Sequence, residues 1–166
     1  MNCITQGVIA LSVVITGAVF PRQEAAAQTA KDIAGTYTLV ASTLDEGGKK
    51  SDLYGPNPKG MLILANDGRY TAVLLRSDLP KFASNNRTTG TADENKAIVQ
   101  GSIGGMGTYT VSPDGKTLTM KQESGSFPNR NGQEEKRPLS ISGDEMKYTT
   151  AATVGGTSEL IYQRMK

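Results

Sequence analysis

The sequence predicts an all-β domain of eight short antiparallel strands and one short helix, arranged as a sandwich or a barrel. Two observations carry this. From Ile33 onward, β-prone segments recur at short intervals, separated by Gly, Pro, Asn and Asp turn chemistry. One stretch alone, opening at Thr91, carries a helix-start signal. The chain's 166 residues suit a single domain.

Before the first strand, Val8 to Phe20 (VIALSVVITGAVF) form an uncharged apolar run. It falls short of the ~20 residues of a membrane-spanning helix and matches the core of a signal peptide. Pro21 breaks it, and Ala25-Ala26-Ala27 supplies a small-residue cleavage pattern. Residues 1–27 are therefore expected to be a signal peptide, and 28–166 an exported domain, periplasmic or secreted, with no membrane span after cleavage. Cys3, the sole cysteine, lies before the apolar core and is lost with the leader. A domain of ~140 residues buries roughly two-thirds of its unfolded surface, which holds it together without disulfides.

Thr36-Tyr37-Thr38-Leu39-Val40 reads as the first strand, with Tyr37, Leu39 and Ala41 on one face. Met61 to Leu64 and Arg69 to Leu75 flank Asn66-Asp67-Gly68, a turn signal, and together read as a hairpin. Ser77 to Gly90 is aperiodic and contains Pro80, so it reads as a long loop. Thr91 with Glu94 matches a capping box, with Ala97, Ile98 and Ile103 available as a buried face before Gly104-Gly105. Gly107 to Val111 and Thr117 to Met120 flank Pro113-Asp114-Gly115. A polar crossing over 122–136 leads to Arg137–Ile141, Met146–Thr150 and Glu159–Gln163. That makes eight strands, and a barrel of eight is wide enough for one small ligand.

Composition excludes several functions. There is no His and no Trp, so no Ser-His-Asp or Cys-His nucleophile can be assembled from this chain. A His-containing zinc or haem site and a Cys₄ cluster are likewise excluded, and no cofactor is expected. Net charge is +2, with no basic stripe of the kind that marks nucleic-acid binders. No Gly-rich phosphate loop is present.

Several segments resemble the lipocalin-like domain family of small bacterial and fungal proteins. They are Ile33-Ala34-Gly35-Thr36-Tyr37, Tyr54-Gly55-Pro56-Asn57-Pro58-Lys59-Gly60, Asp67-Gly68-Arg69 with Arg76, and Pro80 with Phe82. The helix leading into Gly107–Val111 and Phe127-Pro128-Asn129 with Gly132 and Arg137 continue the likeness, which runs over residues 31–166. It implies a lipocalin-like barrel with a central cavity that binds a small apolar or amphipathic molecule. Relatives often carry one or two His near Lys121, and this chain has none. Family Trp positions are taken by smaller or tyrosyl groups, such as Tyr37.

The candidate ligand-binding residues are Tyr54, Tyr70, Arg76, Tyr109 and Arg137. A guanidinium facing a cavity fixes an anionic group through its fork of donors. Arg69 and Arg130 are further candidates. The competing role for these arginines is structural, with a stem packed over an aromatic ring. Arg76 shares parity with Tyr70, Ala72 and Leu74, so an inward face would bring it inside. Each tyrosine, Tyr148 included, joins an apolar body to one hydroxyl and serves either a lining or a core. Glu123, Glu134 and Glu135 are the nearest carboxylates, with Glu123 a candidate partner for Arg137. A binding protein is the first expectation. A cofactor-independent isomerase or cyclase using the same cavity is the second, and a barrel that contacts proteins through its loops is the third.

Overall fold

Strand β1 (Gly35–Glu46) has partners along both edges, and this closes the sheet on itself. One edge pairs with β9 (Thr157–Arg164) from Tyr37↔Arg164 to Asp45↔Thr157. The other pairs with β3 (Lys59–Leu64) through Gly35↔Leu64 to Thr38↔Met61. Between them run β4 (Arg69–Leu75), β5 (Ser102–Val111), β6 (Thr117–Gly125), β7 (Glu134–Ser142) and β8 (Glu145–Ala151). Each is antiparallel to its sequence neighbour, giving a closed barrel of eight strands. This computed structural model describes residues 30–166; the predicted leader, its cleavage point and Cys3 lie outside the described residues.

A ninth strand, β2 (Lys49–Asp52), was not expected from the sequence. It pairs only with the far end of β1, through Thr43↔Asp52 to Glu46↔Lys49, and all four of its residues are exposed. Lys-Lys-Ser-Asp has neither an apolar face nor β propensity. The strand exists because Gly47 and Gly48, both at positive φ, turn the chain back along β1.

Side chains alternate inward and outward along the ring. Leu62 and Leu64, Tyr70 and Leu74, Leu118 and Met120, Met146 and Tyr148, and Leu160 and Tyr162 face the core. In β1 the register shifts between Leu39 and Ala41, so the inward set passes from Tyr37 and Leu39 to Ser42 and Leu44. The expected face of Tyr37, Leu39 and Ala41 is therefore broken after Leu39, because a bulge inserts a residue and reverses parity.

One end of the barrel is closed. The short turns after β3, β5 and β7 lie there, beside a single helical turn, α1 (Ala30–Ile33). Ile33 is fully buried, and its carbonyl accepts from the Tyr37 hydroxyl at 2.7 Å. Arg164 lies over the Tyr37 ring at 4.8 Å and donates to the Ala34 and Asp32 carbonyls at 2.6 and 2.9 Å. The last strand thereby holds the entering chain against the first.

The opposite end carries the longer connections. The expected loop at 77–90 leads into α2 (Ala92–Gly101), whose capping box forms as read. Thr91 Oγ1 accepts from Glu94 N at 3.2 Å, and Glu94 Oε2 from Thr91 N at 2.7 Å. The helix does not bury the expected face. Ile103 already belongs to β5, and the helix's one buried residue is Gly101, where a Cβ would lie 2.6 Å from Leu79 Cδ2 and make the Leu79 side chain shift. Among the described residues no helix is long and apolar enough to cross a membrane.

Candidate functional site

Strand β7 turns Glu135, Arg137 and Leu139 inward by the two-residue period, with exposed Glu134 and Lys136 on the outer face. A carboxylate and a guanidinium thus line the barrel side by side. Glu135 Oε2 accepts from Arg137 Nε at 3.2 Å and from Nη2 at 2.8 Å. Its other oxygen accepts from the Thr150 hydroxyl at 2.5 Å and the Ala151 amide at 2.9 Å. Arg130, from the 3₁₀ turn Pro128–Arg130 between β6 and β7, brings Nη1 to 3.6 Å from Glu135 Oε2. Its Nη2 donates to the Ala151 carbonyl. Arg137 Nη1 donates to the Met120 sulfur at 2.9 Å, and its guanidinium lies 5.2 Å from the Tyr148 ring centre.

Burial pushes the Glu135 carboxyl up, but the Arg137 charge, the Thr150 hydroxyl and the Ala151 amide outweigh it. Glu135 is therefore held below the usual carboxylate range. Burial pulls the Arg137 guanidinium down, and its Tyr148 and Glu135 neighbours more than restore it. Burial lifts the Tyr70 hydroxyl and pushes Tyr54 up to about 12. Tyr162, wholly enclosed and 3.2 Å from the Tyr148 hydroxyl, is raised well above its ordinary value by burial and that neighbour. At neutral pH Glu135 is thus ionised beside the charged Arg137, and the Tyr54, Tyr70 and Tyr162 phenols keep their protons.

Two hollows meet here. One, of about 190 Å³, is lined by Tyr70, Met120, Gln122, Arg130, Glu135 and Arg137. The other, of about 70 Å³, is more apolar, with Leu53, Tyr54, Leu74, Ile103 and Leu160 on its wall. Arg130 and Ala151 belong to both. Ser158 also faces the apolar hollow; it is 2% exposed and its hydroxyl has no partner. A larger hollow of about 590 Å³ lies on the outer face beside β2, lined by Asp45, Lys50 and Glu159. It is open, polar and outside the ring.

Of the candidate residues, Tyr54, Tyr70 and Arg137 come together around these hollows. Tyr54 arrives from the connection between β2 and β3, so the Tyr54–Gly60 segment and the Pro128–Arg130 turn both converge on the open end. Tyr109 is set apart at the closed end, where its hydroxyl donates to the Ala65 carbonyl at 2.9 Å. Arg76 is also set apart. Strand β4 ends at Leu75, and the Arg76 guanidinium turns to Asp78, donating at 2.9 and 2.6 Å. Continuing the strand's parity by one more residue is what placed it inside. Glu123, the expected partner of Arg137, instead pairs with Arg69 at 2.8 Å outside the site.

The residues that sequence reasoning undervalued are Glu135 and Ser158. Glu135 stands two positions before Arg137, and strand parity alone puts both on one face; the polar run over 122–136 concealed where the strand begins. Ser158 had no signal beyond its parity with Leu160. Among the described residues no cluster of His, Cys, Asp and Glu could hold a metal ion.

A family model described as the lipocalin-like domain matches residues 34–162, from the start of β1 into β9. No curated protein matches the chain. The match takes in all eight strands of the ring and both segments that converge on the open end, and the chain belongs to the lipocalin-like domain family.

Proposed function

We propose that the chain is an exported protein that binds a small, mainly apolar molecule at the open end of its barrel. The carrying observation is the junction of a charged and an apolar hollow at Arg130 and Ala151, inside a ring whose other end is plugged by Ile33. Ligand sites are typically concave and largely apolar, with a few polar groups that orient the occupant. The volumes favour something small: a cavity of roughly 150 Å³ holds one benzene ring. Export is supported by the apolar run Val8–Phe20 and the Ala25–Ala27 pattern behind it. The cyclase or isomerase reading has less behind it. Glu135 is held ionised, with both oxygens engaged, which suits a structural anion better than a general acid.

Native mass spectrometry of the protein purified from its own host tests this. The expected result is a chain beginning after Ala27, part of it carrying a small extra mass that leaves on activation. A chain of bare polypeptide mass, whose melting is not shifted by a neutral apolar probe such as 1-octanol, overturns the binding reading. Retention of residues 1–27 in the purified protein overturns cleavage.

A further inference from the structure

The outer wall of the barrel changes character from one side to the other. Strands β7 and β8 turn Lys136, Ser140, Lys147 and Thr149 outward, as a wall facing water requires. Strands β3, β4 and β5 instead present Met61, Ile63, Val73 and Met106, which are 41%, 41%, 40% and 50% exposed. Cross-strand pairing sets them in two rows, Met61↔Val73↔Gly104 and Ile63↔Thr71↔Met106. Toward the closed end the neighbouring charges, Arg69 and Glu123, neutralise each other at 2.8 Å. At the other end exposed Lys59 has the reach to keep its ammonium in water. Covering the face therefore strands no charge.

Met61 and Val73 form a ridge. Beside it the backbone of Gly104, Gly105 and Gly125 floors a shallow trough of about 230 Å³, bounded by Thr71, Val73 and Met106. Two of these glycines answer to the chain's own packing, since a Cβ at Gly105 or Gly125 would lie 3.0 or 2.6 Å from the Gln122 side-chain amide. Gly104 does not: its φ is not left-handed, and a Cβ there would meet nothing closer than the Ala72 carbonyl oxygen at 3.7 Å. Glycine inside a strand weakens it and marks a place where another backbone or a ligand approaches closely.

We propose that this face docks a second copy of the chain. Ridge and trough lie side by side on one surface, so a two-fold rotation seats the ridge of each copy in the trough of the other, an isologous contact. Two such faces together bury on the order of 1,000 Å², the lower bound of specific interfaces, which suits a reversible dimer. The contact uses the barrel wall and leaves the open end free.

Sedimentation velocity of the full protein as purified tests this, over about 5 to 500 µM, with a monomer–dimer midpoint expected near about 50 µM. Val73→Lys on the ridge and Gly104→Glu in the trough each put an unpaired charge into the contact, and each should weaken association at least about 100-fold. Both positions face solvent in the monomer, so each dilute variant should melt as the dilute parent does. An equimolar mixture of the two variants should recover association to within about tenfold of the parent, because the introduced ammonium then meets the introduced carboxylate. A parent that stays monomeric at about 500 µM overturns the proposal, as do variants that dimerise like the parent. A mixture no more associated than either variant alone overturns the seating of ridge in trough. A monomer that sediments with phosphatidylcholine vesicles overturns the proposal in favour of a lipid surface.

Discussion

Glu135 and Arg137, two residues apart on one strand, form a charge pair inside the barrel, with a single carboxylate oxygen accepting from both Nε and Nη2. The pair lies among Met120, Tyr70 and Tyr148, where a lone charge is poorly solvated. Breaking such a pair from one side leaves the other charge without compensation, whereas replacing both with apolar groups removes the problem. Glu135→Leu, which leaves Arg130 and Arg137 facing each other, is expected to cost about 3 kcal/mol. Arg137→Met should cost less, because Arg130, Thr150 and Ala151 still hold the carboxylate. The double variant should be more stable than the sum of the two single losses by at least about 1 kcal/mol. Urea unfolding of all four proteins measures this, and simple additivity would show the two charges to be independent.

Acid should unfold the protein partly through the same carboxylate. Glu135 ionises more readily folded than unfolded. Its stabilisation is therefore complete above the ordinary carboxylate pKa and is lost as pH falls through its lower folded value. Stability should decline below about pH 4.5, and Glu135→Gln, already weakened at neutral pH, should show a flatter acid limb. A variant whose acid limb is as steep as the parent's would assign the loss to other carboxylates.

Alkali acts in the opposite sense on the tyrosines. All six lie in the core, and Tyr54 is pushed up to about 12 by burial, with the Tyr148 neighbour adding to the shift and Arg130 opposing it. A folded pKa above the unfolded value of 10.0 leaves stability intact below pH 10 and removes it progressively as pH rises toward 12. For Tyr54 alone that amounts to about 2 kcal/mol by pH 12. Tyrosinate absorbance should rise together with unfolding, and Tyr54→Phe should flatten the alkaline slope. Tyr54 ionising near pH 10 while the circular dichroism stays native would contradict its burial.

Much of this barrel was legible because strand alternation and turn chemistry are local. Thr91 and Glu94 announced a helix start, Asn66-Asp67-Gly68 a hairpin, and the repeated strands a closed sheet. What escaped depended on where strands begin, bulge or stop. The bulge after Leu39 reversed which residues of β1 face inward, because the extra residue is specified by its pairing with β9. Arg76 kept the parity of β4 but stands one residue past its end, where Asp78 captures it. The polar run over 122–136 hid the first turns of β7, and with them Glu135. Strand β2 is held by tertiary pairing against its own composition. Of the candidate site, Tyr54, Tyr70 and Arg137 could be read from residue type and resemblance; Glu135 could be named only as one of three nearby carboxylates, without its partner.

The bulge in β6, where Glu123 is the extra residue beside Gly107 of β5, makes a second, sharper demand on sequence. At Gly107 the β5–β6 register shifts, and a Cβ there would lie 1.9 Å from the Lys121 carbonyl oxygen and 2.9 Å from Glu123 N. Backbone cannot yield as a flexible side chain does. Gly107→Ala should therefore cost about 3 kcal/mol or more by forcing the two strands apart. Gly104→Ala, three residues earlier, meets nothing closer than 3.7 Å and should be neutral or stabilising by up to about 1 kcal/mol, because the unfolded chain loses freedom. Thermal melts of the two variants separate close approach from a general glycine effect, since only the first is expected to fall.

Ser158 offers a test whose sign is informative. Its hydroxyl is buried beside the apolar hollow with no hydrogen-bond partner, and the Ser42 hydroxyl, diagonally placed on the adjacent strand, is likewise buried without one. A hydroxyl taken from water without a partner costs about 1–3 kcal/mol. Ser158→Ala removes that penalty with little change in volume, so the ligand-free protein should gain about 1 kcal/mol. Differential scanning calorimetry of protein refolded from denaturant, and so free of any bound molecule, reads this directly. A loss of that size instead would mean the hydroxyl is satisfied by water in solution. If the natural occupant carries an oxygen along its apolar body, the same substitution that stabilises the empty barrel should weaken its binding. The serine would then be kept for recognition at the expense of stability, and the opposite signs of the two measurements would establish it.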